Sequence, residues 1–180
     1  FMFYMAEKAM QEKFEKEKLL YTSNTDELTR CYNRHAYEND VNKLELDDEW
    51  IYMSMDLNGL KRVNDSFGHM AGDELICGAA ECMKNTFNDF GNVYRIGGDE
   101  FVVLITNNTN EFDTMLKDFD NKVLNWHGEF VDSMTISYGY VFSSEKKWEK
   151  IHDISKAADK RMYEDKARYY RENGIDRRIN

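Results

Sequence analysis

Two adjacent carboxylates, Asp99 and Glu100, follow the glycine pair Gly97-Gly98 near the middle of the chain. The runs on either side, 92–96 and 101–105, alternate as strands do, so the segment predicts a hairpin whose tip carries both acids. We expect the glycines to supply the positive-φ positions of the turn and, having no Cβ, to let a ligand approach the backbone. Two acids at such a tip suit a divalent metal site. A solvated β-turn is the alternative, because Gly and Asp are ordinary turn residues.

A second acidic segment, residues 56–73, follows the apolar run 50–55, which is typical of a buried strand ending at Asp56. If that strand lies beside the hairpin, Asp56 and Asp99 can share Mg²⁺, a hard cation that takes oxygen ligands and keeps phosphate and water in its shell. The first residues of the segment open like an EF-hand loop. Lys61 at the sixth position and Phe67 at the twelfth exclude that motif, which requires Gly and Glu there.

Further motifs accompany these two in a fixed order, and together they resemble the GGDEF family of diguanylate cyclases from about residue 26 to about residue 166. The matching pieces are Asp26-Glu27-Leu28-Thr29 with Asn33-Arg34, segment 56–73, the hairpin, Thr135-Ile136-Ser137-Tyr138-Gly139, and Ala158-Asp159 with Met162-Tyr163 and Lys166. One short string arises easily by chance, whereas ordered motifs at consistent spacings do not.

The resemblance implies a Mg²⁺-dependent enzyme, with Mn²⁺ as an alternative ion, that condenses two GTP into cyclic di-GMP and pyrophosphate. One domain holds one GTP, so turnover would need a homodimer of two GTP-loaded domains. The alternative is a catalytically weak GGDEF module that binds GTP as a signalling domain. The presence of Asp56, Asp99 and Glu100 favours catalysis, since degenerate members usually lose these acids.

By motif position, the resemblance implies that Asp56, Asp99 and the backbone carbonyl of Leu57 hold the metal. Glu100 would be a further ligand or would help to remove the hydroxyl proton, and Lys61 joins Asp99 and Glu100 in the catalytic set. We expect the acids to repel one another strongly in the absence of a cation.

The remaining expected site residues bind the nucleotide. Guanine presents adjacent N–H donors, so a selective pocket needs acceptors. The resemblance assigns this edge to Asn64 and Asp73, with His69 between them. The structural alternative is a turn at Asn64-Asp65 and a carboxylate at Asp73 favoured by a helix N-terminus. The resemblance also implies that Lys61 and Lys166 contact phosphate, and the alternative for each is a solvated surface charge. Arg95, Gly97 and Gly98 are further expected substrate-binding residues. The amides of Asn58, Gly59 and Leu60, at the start of a short helix, are expected to hold phosphate oxygens.

Two departures from the family pattern concern regulation and phosphate binding. Asn88 and Gly91 stand where many members carry an inhibitory Arg-x-x-Asp site, so product feedback by that route should be lost. The usual Gly-Arg-Asn triplet after the last Lys is absent from the sequence. Tyr170 would replace its Arg, or Arg168 or Arg171 would supply the missing cation.

The pattern along the chain predicts an α+β fold in which a mainly antiparallel sheet of about five strands is covered by helices. The resemblance implies the same, a ferredoxin-like palm shared with nucleotide cyclases. We expect a linker or signalling helix in 1–24 and the catalytic domain in 25–180. The predicted elements are helix 6–21, a break at 22–25, helix 34–46, strand 50–56, helices 59–66 and 72–87, hairpin 92–106, helix 109–126, strand 134–142 and one or two helices in 148–171.

The N-terminal helix has two interpretations. It is a solvated lead-in to the domain, or it pairs with its copy in a dimer through Met10, Phe14 and neighbouring apolar residues, although Lys13 and Glu17 interrupt the heptad. The apolar start at residues 1–5 suggests that a membrane segment or sensor precedes the chain, which would then be the cytoplasmic end of a longer protein.

Charge and cysteine content limit the other functions. A net charge of −10 leaves no basic face for a phosphate backbone, which argues against nucleic acid as a partner. The three cysteines are odd in number and form no Cys-x-x-Cys pair, which argues against a disulfide framework or a zinc site and suits a reducing cytoplasm. Neither the P-loop nor the Rossmann glycine spacing occurs.

Overall fold

The structure, a computed structural model, describes residues 2–174, and for residues 2–6 and 9 it describes the backbone only. The apolar side chains at 1–5 therefore lie outside the described part of the chain. The elements in order are α1 (Met2–Asn24), α2 (Arg34–Val41), β1 (Ile51–Leu57), α3 (Leu60–Phe67), α4 (His69–Phe87), β2 (Gly91–Arg95), β3 (Glu100–Ile105), α5 (Phe112–Leu124), β4 (Ile136–Phe142) and α6 (Ile151–Glu172), with 3₁₀ turns at Thr109–Glu111 and Ser143–Glu145.

The strands form one sheet in the order β2-β3-β1-β4, and every pairing is antiparallel. The predicted α+β class is confirmed, but the described residues contain four strands instead of about five. At one edge of the sheet Tyr32 makes a single-residue bridge to Tyr94 of β2. In the chain before β4, the amides of Phe130 and Val131 donate to a helix side chain, so this segment adds no strand.

β1 occupies the centre of the sheet and is buried along its whole length. Alternate side chains of a strand point to opposite faces of the sheet, so side chains of β1 pack into two hydrophobic clusters, one on each face. Ile51, Met53, Met55 and Leu57 pack with residues of α4 and α5 on one face, and Trp50 and Tyr52 pack with residues of α2 and α6 on the other. This double burial explains the unbroken apolar run in the sequence.

Several predicted boundaries were wrong. α1 continues to Asn24, and within its last turns the hydroxyl of Thr22 donates to the carbonyl of Lys18. α2 ends at Val41 and not at 46, and α6 begins at Ile151 and not at 148. α4 begins at His69, earlier than predicted, because Gly68 alone (φ 87°) makes the turn between α3 and α4.

The described side chains of α1 before Asn24 are all exposed, so none of them takes part in the core. Among the helices of the described residues, none has both the length and the apolar character needed to cross a membrane.

Candidate functional site

The end of β1 lies directly beside the start of β3. Asp56 pairs with Glu100 in the antiparallel register, and the amide of Leu57 donates to the carbonyl of Asp99 at 3.0 Å. The register of β1 against β3 fixes which residues lie opposite one another, because a buried strand that slips by one residue turns its apolar side chains outward. The structure thus brings together Asp56 and Asp99, which are 43 positions apart in the sequence.

The hairpin loop is longer than the tight turn we expected. Four residues, 96–99, join β2 to β3, and the amides of Ile96 and Gly97 donate to the carbonyl of Glu100 at 3.0 and 3.4 Å. The prediction of positive φ angles was wrong, since neither Gly97 nor Gly98, both described, lies in the left-handed region. A four-residue loop closes without that conformation. Gly97 lies close to the Glu100 side chain, and a Cβ there would be 2.8 Å from Oε2, so this exposed carboxylate would have to move aside.

Arg95 holds this loop in place through hydrogen bonds to its backbone. Its guanidinium donates to the carbonyls of Gly97 and Gly98 and forms an ion pair with Asp26, with Nη1 and Oδ1 3.0 Å apart. Asp26 also accepts from the amide and hydroxyl of Thr29. Burial opposes ionisation of Asp26, but the hydrogen bonds from Thr29 and Arg95 outweigh it and lower the pKa of this carboxyl. The geometry therefore gives Arg95 a positioning role, and its expected contact with substrate stays a prediction.

Asp56 is buried beside Lys166 of α6, whose Nζ lies 2.6 Å from Oδ1. Burial raises the pKa of Asp56, the ion pair with Lys166 opposes that rise, and the nearby carboxylates of Asp99 and Glu100 add to it. A buried carboxylate with two acidic neighbours requires a cation, and in this structure Lys166 supplies it.

The donors at this strand end are all oxygens, which suits Mg²⁺. Within the part of the chain that the structure describes, however, no three His, Cys, Asp or Glu side chains are grouped so as to hold a metal ion. The acids that we expected to converge are therefore neighbours without forming a ready-made ligand cluster. Asp56 and Asp99, with the Leu57 carbonyl, remain the residues that could hold the ion, once Lys166 releases Asp56.

Residues predicted to read guanine lie on α3 and α4. The amide of Asn64 packs so closely on Gly72 that a Cβ at Gly72 would overlap it. This contact places Asn64 next to Asp73, the following residue of α4. His69 and Asp73 are both exposed and lie one helical turn apart. Of the acceptors expected for a guanine edge, Asp73 is therefore open to solvent and Asn64 beside it is half-buried.

The start of α3 differs in part from the prediction. Gly59 has a φ of 76°, which favours glycine, and Lys61 is exposed in the first turn after it. The amide of Asn58 is not available to phosphate, because it donates to the carbonyl of Thr135 at 2.9 Å and so extends the pairing of β1 with β4. The buried Asn58 side chain hydrogen-bonds with Ser137. The amides of Gly59 and Leu60 remain as predicted contacts.

The three candidates for the missing C-terminal cation have different surroundings. Tyr170 is buried, so it packs inside the domain. The guanidinium of Arg168 forms an ion pair with Asp165, and Arg171 is exposed. Sequence reasoning gave no role to Asp26 in the site, although its place in an ordered motif was a signal that it acts there.

Comparison with known proteins gives matches over most of the chain. The family model described as "Diguanylate cyclase, GGDEF domain" matches residues 23–171. The probable diguanylate cyclase DgcI of Escherichia coli is 29% identical over 143 residues, which cover 78% of this chain and 30% of that protein. The diguanylate cyclase DgcS of Shewanella oneidensis is 28% identical over 148 residues, which cover 79% of this chain and 49% of that protein. The chain thus spans half or less of the length of these relatives.

Solved structures show the same fold. The GGDEF domain of FimX from Pseudomonas aeruginosa superposes with a TM-score of 0.72 at 21% identity and covers 81% of this chain and 94% of that chain. The coiled coil and GGDEF domain of DgcB from Caulobacter crescentus, solved with c-di-GMP, gives a TM-score of 0.75 at 20% identity and covers 95% of this chain and 92% of that chain.

Proposed function

The chain belongs to the GGDEF domain family of diguanylate cyclases, and from this premise we propose that it condenses two GTP into cyclic di-GMP. The observation that carries the proposal is the pairing of Asp56, at the buried end of β1, with the acidic start of β3. The neighbouring acceptors Asn64 and Asp73 support guanine as the base.

In the reaction, the 3′-hydroxyl oxygen of each GTP attacks the α-phosphorus of the other. A new phosphoester bond forms, the bond from the α-phosphorus to the oxygen bridging it to the β-phosphorus breaks, and pyrophosphate leaves with that electron pair. Each hydroxyl proton must pass to a base. Glu100 is exposed beside Asp99 and is our candidate for this role, or for a further metal ligand.

Asp56, Asp99 and the carbonyl of Leu57 would hold Mg²⁺, or Mn²⁺ in its place. Such an ion, when bound, offsets the triphosphate charge and makes the attacking hydroxyl more acidic. Lys166 would then be free to bind phosphate, as would exposed Lys61 and the amides of Gly59 and Leu60. The protein's own contribution is chiefly to hold the reacting atoms in line.

Because each domain would bind one GTP, we propose that catalysis occurs between two copies of the chain. α1 is the element that would bring them together, since Met10, Phe14 and Tyr21 are 72%, 67% and 54% exposed. A sensor or membrane segment before α1 would control this pairing, in a domain that faces the cytoplasm. We propose no nucleic acid partner, because the net charge is −10.

The test is incubation with GTP and Mg²⁺ over a range of protein concentrations, with chromatographic detection of cyclic di-GMP. We expect product to rise more steeply than linearly with protein, and Asp99→Ala to abolish it while the fold is retained. GTP binding without product at any concentration would instead support the GTP-binding signalling module, and a chain that binds no GTP would contradict both functions.

A further inference from the structure

Residues 126–135, which we call the strap, join α5 to β4 and cross from α4 to the end of β1. At one end the Trp126 indole lies on Gly78 of α4, where any Cβ would overlap it. At the other end the carbonyl of Thr135 accepts the hydrogen bond from Asn58, and nearby Met134 is buried in the core. The strap is therefore held at both ends by elements that carry the candidate site.

The carboxylate of Glu74, on α4, holds the middle of the strap. It accepts hydrogen bonds from three successive backbone amides, those of Glu129, Phe130 at 2.9 Å and Val131 at 3.2 Å. The contact is close, because a Cβ at Gly128 would overlap both this carboxylate and the Trp126 ring. Desolvation opposes ionisation of Glu74, but the three amides prevail and lower its pKa, so it is charged at neutral pH.

Glu74 and Asn58, which hold the strap, lie next to residues of the candidate site. Glu74 directly follows Asp73, and Asn58 directly follows Leu57. Between them runs α3, which the structure describes completely and in which no side chain is fully buried. A cavity of about 370 Å³ lies behind α3, lined by residues of α3, the strap and α6. α3 contributes only the partly buried Leu60 and Val63 to the core, so its position depends largely on the elements that flank it.

We propose that Glu74 is a positioning residue for guanine recognition, which it serves by tying the strap to α4 and so fixing Asp73 relative to Asn64. The inference rests on the proposed function, because it concerns the base that this site selects. Release of the strap would let the turn between α3 and α4 shift. The acceptors would then match the two adjacent donors of guanine less well.

The experiment compares Glu74→Ala and Glu74→Gln with the wild type, with Glu81→Ala, an exposed Glu on the same helix, as the matched control. The first readout is hydrogen exchange of the amides of 129–131, which needs no nucleotide. We expect exchange to be about tenfold faster in Glu74→Ala, intermediate in Glu74→Gln, which keeps one acceptor oxygen, and unchanged in Glu81→Ala.

The second readout is the ratio of the dissociation constants for 3′-deoxy-GTP and 3′-deoxy-ITP with Mg²⁺. These analogues cannot react, and inosine lacks the 2-amino donor. We expect the preference of the wild type for the guanine analogue to fall about fivefold in Glu74→Ala and less in Glu74→Gln. General destabilisation would weaken both analogues alike and leave the ratio unchanged. If Glu74→Ala does not fold, the same two measurements are made on Glu74→Gln and on Gly128→Ala, whose added methyl group pushes the strap outward.

Unchanged exchange would overturn the inference, as would faster exchange with an unchanged ratio. If the wild-type protein binds neither analogue, the result contradicts both the proposed function and the inference that rests on it. If the wild type binds both analogues and the Glu74 variants keep its preference for the guanine analogue, only the inference about Glu74 is contradicted.

Discussion

Replacing Lys166 with methionine should destabilise the metal-free protein by about 3 kcal/mol, because the buried carboxylate of Asp56 loses its cation. The Lys166 Nζ lies 2.6 Å from Oδ1 of Asp56, and the two side chains are 21% and 8% exposed. Removing one partner of a buried pair typically costs about 3–5 kcal/mol. The lower value applies here because water reaches part of Lys166, although Asp99 and Glu100 add repulsion.

The measurement is urea denaturation in EDTA of the wild type, Lys166→Met, Asp56→Asn and the double variant. In the Asp56→Asn background, Lys166→Met should cost less than about 1 kcal/mol, since a neutral amide needs no counter-ion. At about 2–4 °C per kcal/mol for a domain of this size, the single variant should melt about 6–12 °C lower. Lys160→Met, on the same helix at a position 78% exposed, is the control and should change stability by less than about 0.5 kcal/mol.

Equal costs of Lys166→Met in the two backgrounds would refute the reasoning, because Lys166 would then act through packing and not through charge. A loss below about 0.5 kcal/mol in the wild-type background would do the same. Added Mg²⁺ should reduce the difference between Lys166→Met and the wild type, since a bound ion replaces the missing cation.

Three further predictions concern ligand binding, pH and packing. Mg²⁺ plus GTP at about 100 times Kd should stabilise the fold by about 2.7 kcal/mol in thermal melting, and an unchanged melting temperature would count against the site. Because the pKa of Asp26 is lowered on folding, its ionised form stabilises the protein above its ordinary pKa of 3.8, and this contribution is lost as the pH falls through the lower, folded value. The advantage of the wild type over Asp26→Asn in urea unfolding should therefore shrink from pH 7 to pH 3, and a constant difference would argue against the Asp26–Arg95 contact. Gly72→Ala should cost about 1–3 kcal/mol, because its Cβ overlaps the Asn64 amide; stability and GTP affinity equal to the wild type would mean that Asn64 is not held there.

The main elements of the site could be predicted from local patterns. The strand ending at Asp56 and the hairpin carrying Asp99 at its tip could each be predicted from their own residues. That the two strands are neighbours was only a condition for a shared metal ion, and the pairing of β1 with β3 meets it. The backbone of the hairpin loop was predicted wrongly, because hydrogen bonds of Arg95 and Glu100 set its shape and not the glycine pair alone.

Contacts between distant residues explain what the sequence did not show. Nothing near Asn58 indicates that its amide is taken by Thr135, and nothing near Glu74 indicates that it binds amides some fifty-five residues further on. A Glu in an amphipathic helix is ordinarily a solvated charge. Likewise, nothing near Phe130 and Val131 indicates that a carboxylate, and not a neighbouring strand, accepts from their amides.

We propose that Asp56 and Asp99, brought together by β1 and β3, share one divalent cation beside a guanine nucleotide. Crystals grown with Mn²⁺ and 3′-deoxy-GTP test it most directly, because anomalous scattering locates Mn²⁺ independently of the refined model. We expect a peak coordinated by carboxylate oxygens of both Asp56 and Asp99, with Lys166 moved from Asp56 towards phosphate. A Mn²⁺ ion bound elsewhere, with the Lys166–Asp56 pair intact beside bound nucleotide, would contradict it.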